Sequence, residues 1–220
     1  MSTDNIFAVI NSQRACRAFA DTAVPDDLIA RVLDAAVYAP SAQNGQPWEF
    51  IVVRDPAARA TICELMARAW GEHGRTHSES HLSPALFADV DAGLTGGIAT
   101  APVLIVVAAD TRRGNPRTFG SSIFPCIQNL LLAATALGLG SALTTIANAY
   151  SEELSQAIAL PDEVSPIAVI PIGFPKRPLG PPRRESFAAH SHRDQYGSLW
   201  DAAPSDSTPS DEVPDTPTPQ

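Results

Sequence analysis

Ala39-Pro40-Ser41-Ala42-Gln43-Asn44-Gly45-Gln46-Pro47-Trp48-Glu49-Phe50 places a small, polar loop between a helical pattern and a β-rich run. Before it, Leu28, Val32, Leu33, Ala35 and Ala36 recur at helical spacing, with Pro25 suited to the first turn and Pro40 unable to continue the helix. After it, Phe50-Ile51-Val52-Val53 is a compact β-branched and aromatic run suited to a buried sheet position. Within it, Ser41, Gln43, Asn44 and Gln46 both donate and accept hydrogen bonds, while Trp48 offers an apolar wall with one donor. Such a set suits a planar heterocycle with mixed donors and acceptors. A plain turn, in which Ser and Asn satisfy local backbone groups, explains the same residues.

Working outward, Gln13-Arg14-Ala15-Cys16-Arg17-Ala18-Phe19 follows an apolar helical pattern of Ile6, Phe7, Val9 and Ile10. Arginine keeps its charge and presents a planar fork of donors to phosphate or to a carbonyl edge. A second basic pair, Pro181-Pro182-Arg183-Arg184, lies near the end of the folded region. Each pair alone fits a solvated surface. Both pairs together with the amide loop point to one anionic ligand gathered from distant parts of the chain.

These residues resemble the nitroreductase family of FMN-dependent oxidoreductases, over about Asn11 to Tyr196. In that family an Arg-rich motif ending Arg-x-Phe grips the flavin, and an Ala-Pro-Ser-x-x-Asn-x-Gln-Pro-Trp loop borders the ring. Arg17-Ala18-Phe19 and Ala39–Trp48 match both. Gln128–Ala134 leading to Gly138-Leu139-Gly140 is similar to the family's long buried helix, and Pro171–Pro175 through Arg183-Arg184 to its last strand and C-terminal flavin contacts. The first motif departs from the common Arg-Arg-Ser-x-Arg-x-Phe. Gln13 stands where an arginine is usual and Ala15 where a serine is usual, which removes one charge and one hydroxyl from the phosphate clamp.

The resemblance implies an α+β fold with a mainly antiparallel mixed sheet surrounded by helices, in an intertwined homodimer holding FMN between subunits. It implies ping-pong hydride transfer from NADH or NADPH to a nitroaromatic, quinone or related conjugated acceptor. The cofactor carries that chemistry, so no protein nucleophile or metal is required. The cofactor-binding residues it implies are Gln13, Arg14, Ala15, Arg17, Pro40, Ser41, Asn44, Gln46, Thr145, Ile146, Arg183 and Arg184. Arg17 is expected at the flavin N1/O2 edge, Arg14 and Arg184 at the phosphate, with backbone N–H groups near Ala15 completing the clamp. Ser41, Asn44 and Gln46 are expected at the ring or ribityl chain. The same fold also serves reductive dehalogenases, flavin-fragmenting enzymes, biosynthetic dehydrogenases and proteins that only sequester FMN.

Composition sets bounds on this picture. The 220 residues carry a formal charge of −9, which argues against nucleic acid as a partner. One domain over residues 1–200 is expected, followed by a disordered tail over 201–220. Five acids lie there without a base: Asp201, Asp206, Asp211, Glu212 and Asp215. The N-terminus lacks a basic and apolar leader pattern. Three cysteines without metal spacing fit a reducing cytoplasm. The run Ile123–Leu143 approaches membrane-span length but contains Pro125, Gln128 and Asn129, so a core helix buried on all sides is expected, best hidden in an oligomer. The C-terminal arm Phe174–Trp200 is expected to wrap a partner subunit.

Other patterns carry less. Gly138-Leu139-Gly140 lacks the third glycine of a dinucleotide fingerprint and reads as a helix C-terminus. His73, His77 and His81 recur every four residues, but nearby glycines and serines weaken a helix there, so no metal site is expected. The span Gly71–Gly97 reads as a mobile cover over the ligand. Strands are predicted at Phe50–Val53, Val103–Ala108, Ile167–Ile172 and near Gly140–Thr144, whose end sets Thr145 and Ile146 beside the flavin. Helices are predicted over residues 3–12, 25–39, 57–70, 124–137 and 151–159.

Overall fold

Strand β2 (Val103–Asp110) organises the molecule, because all eight of its residues are buried. Its side chains alternate between two cores, as the period of two requires. Val103, Ile105, Val107 and Ala109 join one core with α2 (Asp26–Val37) and α6 (Phe119–Ala136). Leu104 and Val106 join the other with Ile62, Leu65 and Met66 of α3 (Pro56–Ala69). Helices covering both faces explain why an antiparallel strand reads as one apolar run, without the usual polar alternation.

The computed structural model describes residues 4–200, and the expected disordered tail, 201–220, lies outside the described residues. The chain forms two units, divided between Pro182 and Arg183. In the first, β1 (Trp48–Val53), β2, β3 (Gly140–Ser141) and β4 (Val164–Gly173) form a sheet of order β1-β2-β4-β3, with every ladder antiparallel. The parallel component of the expected mixed sheet is a single bridge, Ala15 to Ser141. In the second unit Trp200 packs edge-on against Phe187, and His192 pairs with Leu199.

Two prolines shape β4. Pro166 sits at a shift of register between Val107 and Ala108 of β2, where a strand tolerates a missing N–H. The Ile167 carbonyl beside it accepts from Asn148 Nδ2 at 2.8 Å. On the other edge β3 pairs Gly140 with Gly173 and Ser141 with Ile172, and a bridge pairs Thr144 with Val169. Counting along this register sets Ala142 opposite Pro171, which has no N–H to give. The expected strand over Gly140–Thr144 is therefore interrupted after two residues.

Helix α6 starts at Phe119, five residues before the predicted start, and continues through Pro125 in its second turn. It ends at Gly138, whose φ of +76° suits glycine, with Leu139 N donating to Ala134 O. It is not buried on all sides within one chain. Ser122, Ile123, Cys126, Ile127, Leu130, Leu131 and Ala134 face the core, while Ser121, Phe124 and Gln128 are exposed. Residues 116–136 are long and apolar enough to cross a membrane, yet one face serves as core. Exposed apolar side chains also occur on α1 (Asp4–Ser12) at Ile6, Phe7 and Ile10, and at Tyr38 after α2.

The span Gly71–Gly97 is more ordered in secondary structure than its glycines suggest. It holds α4 (Arg75–His81) and α5 (Pro84–Ala92) between two π-helical turns, Trp70–Gly74 and Gly93–Gly97. Gly74 does not break the helical path. A side chain there would press on Trp70 and Ile146, so glycine is what allows the turn to close.

Candidate functional site

The segment after α1 is laid along the open end of the sheet by backbone hydrogen bonds. Cys16 N donates to Ser141 O at 2.9 Å, Ala20 N to Phe174 O at 2.8 Å, and Lys176 N to Ala18 O at 3.1 Å. Glycine makes the approach possible. A Cβ on Gly140 would lie 2.6 Å from Cys16 Sγ, and one on Gly173 would lie 3.0 Å from the Phe19 ring. From the other side, Gly93 and Gly97 press against Arg17, where added Cβ atoms would meet Cδ at 2.6 Å and the carbonyl oxygen at 2.2 Å.

This packing leaves a cavity of about 510 Å³ lined by Arg14, Ala15, Arg17, Asp89, Lys176 and Arg177, among others. Four cations and one carboxylate face it. Arg14 Nη1 donates to Gly180 O at 3.1 Å. Arg17 Nη1 donates to Asp89 Oδ2 at 2.7 Å, and Arg177 Nη2 is 3.7 Å from the other oxygen of Asp89. Cys16 also reaches the cavity wall, but burial pushes its thiol above the ordinary range, so it is a poor nucleophile.

The polar loop is a defined structure. Ser41 Oγ accepts from Gln46 N at 3.0 Å, leaving its own hydrogen free, and Ser122 Oγ of α6 accepts from Ala42 N at 3.1 Å. Gln43, Asn44 and Gln46 have φ of 55°, 55° and 49°, the left-handed region, which side chains other than Gly and Asn occupy at a cost of about 1–3 kcal/mol. What imposes this shape is the turn after β2. Asp110 N donates to Pro47 O at 2.8 Å, and Gly45 sits so close to Arg113 that a Cβ would be 2.3 Å from its carbonyl oxygen. That turn is held by the buried Asp110 carboxylate, which accepts from Arg112 Nε and Nη2 and from Arg112 N. The Arg112 guanidinium holds the Asp110 carboxyl below the ordinary carboxylate range.

One chain brings only some of the predicted residues together. Arg14, Ala15 and Arg17 share the cavity, whereas Gln13, Pro40, Ser41, Asn44, Gln46, Thr145 and Ile146 are not among its lining residues. Ile146 packs with the second core. Arg183 and Arg184 begin the second unit, where Arg184 Nη1 donates to Arg183 O at 2.8 Å. Trp48, expected as an apolar wall, is buried in the core shared with α2 and α6. The sequence reading missed Lys176 and Arg177, a basic pair just beyond Phe174-Pro175 at the end of β4 that carried a signal. It also missed Asp89, which carries none, since its partner lies 72 residues away.

The histidines behave differently from a metal set. His77 and His81 stack at 4.2 Å on α4, and His81 Nδ1 meets His77 O at 2.7 Å. Serine and histidine bonds to that carbonyl, with Ser80 Oγ at 2.8 Å, accompany the helix that the glycines seemed to forbid. Among the described residues no group of three or more His, Cys, Asp or Glu side chains is placed to hold a metal ion.

Comparison with known proteins accords with this arrangement. The model of the Nitroreductase family matches residues 10–174. A Methanothermobacter thermautotrophicus protein, provisionally named NADH dehydrogenase/NAD(P)H nitroreductase, is 31% identical over 178 residues, covering 80% of each chain. The 5,6-dimethylbenzimidazole synthase of Rhodospirillum rubrum is 28% identical over 205 residues, covering 86% of this chain and 91% of the synthase. Among solved structures, a provisionally named nitroreductase of Desulfovibrio desulfuricans in complex with FMN superimposes with a TM-score of 0.65 at 27% identity, covering 87% of this chain and 97% of the other. The match to the family model over most of the chain, on a fold with these strand ladders and this arginine segment, means that the chain belongs to the Nitroreductase family.

Proposed function

We propose that this chain is an FMN-dependent oxidoreductase that takes electrons from NADH or NADPH and delivers them to a nitroaromatic, quinone or related conjugated acceptor. The observation that carries this reading is the cavity in which Arg14, Arg17, Lys176 and Arg177 converge beside Ala15. Its donor set fits a phosphate-bearing cofactor, because Lys176 and Arg177 more than restore the charge lost at Gln13, and the clamp then needs no hydroxyl at Ala15. Bound FMN would supply two-electron hydride chemistry at ring atom N5. Arg14 and Arg177 are the residues proposed to hold the phosphate. Arg17 is proposed for the N1/O2 edge, where a fixed cation lowers the cost of the negative charge that collects there on reduction.

The polar loop lies apart from this cavity, so we assign it to the cavity of a second copy. In that homodimer Pro40, Ser41, Asn44 and Gln46 of one subunit, held by the Asp110 turn, would meet the ring bound by the other. The exposed apolar side chains Ile6, Phe7, Ile10, Tyr38 and Phe124 supply a surface for such pairing.

Stopped-flow mixing of the flavin-loaded protein with NADH and with NADPH tests the reading. Rapid bleaching of the flavin with one of them, followed by reoxidation with a quinone or nitroaromatic, is expected. Absence of bleaching with either donor would overturn it. Arg17→Ala is expected to lower flavin affinity or reduction potential, and unchanged values for both would remove its assigned role.

A further inference from the structure

Asp89 is the single carboxylate among the residues lining the cavity, and it meets two of the four cations there. It stands on α5, far along the chain from either partner. Its side chain is 34% exposed and that of Arg17 is 23% exposed, so solvent screens the pair and a ligand with more charge can break it.

The contact is also not what holds α5 in place. Asp91, two residues on, accepts from Trp70 Nε1 at 2.8 Å and from Arg75 Nε at 2.9 Å. Phe87 packs against Trp70, with ring centroids 6.2 Å apart. The helix thus has an anchor that does not involve the cavity. Asp89 spends its charge on the ligand-binding cations instead.

We propose that Asp89 is a built-in competitor for anionic ligands of this cavity, occupying Arg17 and Arg177 until a ligand displaces it. A monovalent anion gains little, since it exchanges one carboxylate contact for another. An anion with two or more charges, such as a phosphate monoester or pyrophosphate, gains net attraction. Asp89 therefore sets an affinity threshold that favours phosphorylated ligands. Its extension to FMN rests on the function proposed above.

Calorimetric titration of the full chain and of Asp89→Asn and Asp89→Ala with inorganic pyrophosphate and with FMN tests this. The near-isosteric Asp89→Asn removes charge without opening space. Binding of both probes is expected to tighten about fivefold in either variant, the scale of a partly exposed ion pair. Unchanged or weaker pyrophosphate binding in Asp89→Asn overturns the proposal, as does tightening confined to Asp89→Ala, which would reflect space rather than charge. If pyrophosphate binds and FMN does not, the flavin reading fails while the competition is still decided by the pyrophosphate arm. If neither probe binds even Asp89→Asn, the competition is refuted.

Discussion

Replacing Gly97 by alanine puts a methyl group where a carbonyl oxygen already stands. The Cβ would lie 2.2 Å from Arg17 O, against the 3.0 Å below which such contacts essentially never occur, so the backbones must part by about 0.8 Å. Two effects oppose each other. Gly97 has helical torsions, φ −62° and ψ −42°, so alanine stiffens the unfolded chain and contributes about 0.4–1 kcal/mol of stability. Overpacking against backbone costs about 1–3 kcal/mol, and no flexible side chain is present to yield. At the middle of the two ranges the clash wins, about 2 against about 0.7 kcal/mol, for a net loss of about 1.3 kcal/mol. The same shift moves Arg17, and a misplacement near 1 Å is expected to weaken flavin binding about tenfold. Urea denaturation gives the first quantity and quenching of flavin fluorescence the second. Gly120→Ala in α6, where a Cβ meets open space, is the control and should stabilise the protein without touching flavin affinity. If Gly97→Ala is as stable as Gly120→Ala and binds flavin normally, the close packing of this turn on Arg17 is refuted.

Leu130→Ala, at a fully buried α6 position, should cost about 2–5 kcal/mol in chemical denaturation, and a loss under 1 kcal/mol would contradict its place in the first core. Asp110 has a carboxyl held below its unfolded value of 3.8, so its contribution is present above that pH and is lost as pH falls through the folded value. The urea midpoint of Asp110→Asn should accordingly trail the parent by a constant amount from pH 7 to 5, with the gap closing on acidification below pH 4; a gap that widens would reverse the assignment. Burial pushes the Cys126 thiol up to about 12, so a thiol reagent at pH 8 should modify it only on unfolding, and fast labelling of native protein at Cys126 by mass spectrometry would contradict its burial.

The β2 run and the α2 pattern were legible because burial on both faces of a strand, or on one face of a helix, imprints a local period on the residues. Arg14 and Arg17 were legible because their contiguous segment resembles a family motif when it is set beside the Ala39–Trp48 loop. Trp48 shows where local chemistry misleads, since an aromatic at a loop end suits a ligand wall and a core equally, and α6 decided the matter. The brevity of β3 follows from Pro171, a residue on a different strand, and becomes visible only once register is known. Asp89 was beyond reach. Its role exists only through contacts with Arg17 and Arg177 that no local pattern announces.

The break at Pro171 has a dynamic consequence. Ser141, whose carbonyl carries the Cys16 amide, belongs to a strand joined to the sheet by only two residue pairs before the ladder lapses. The arginine segment therefore hangs from the least secured part of an otherwise well-locked sheet. Amides of Cys16 and Ser141 should exchange through local opening while those of β2 wait for global unfolding, which makes the edge that carries the arginine segment a separate cooperative unit, able to loosen while the core keeps its stability.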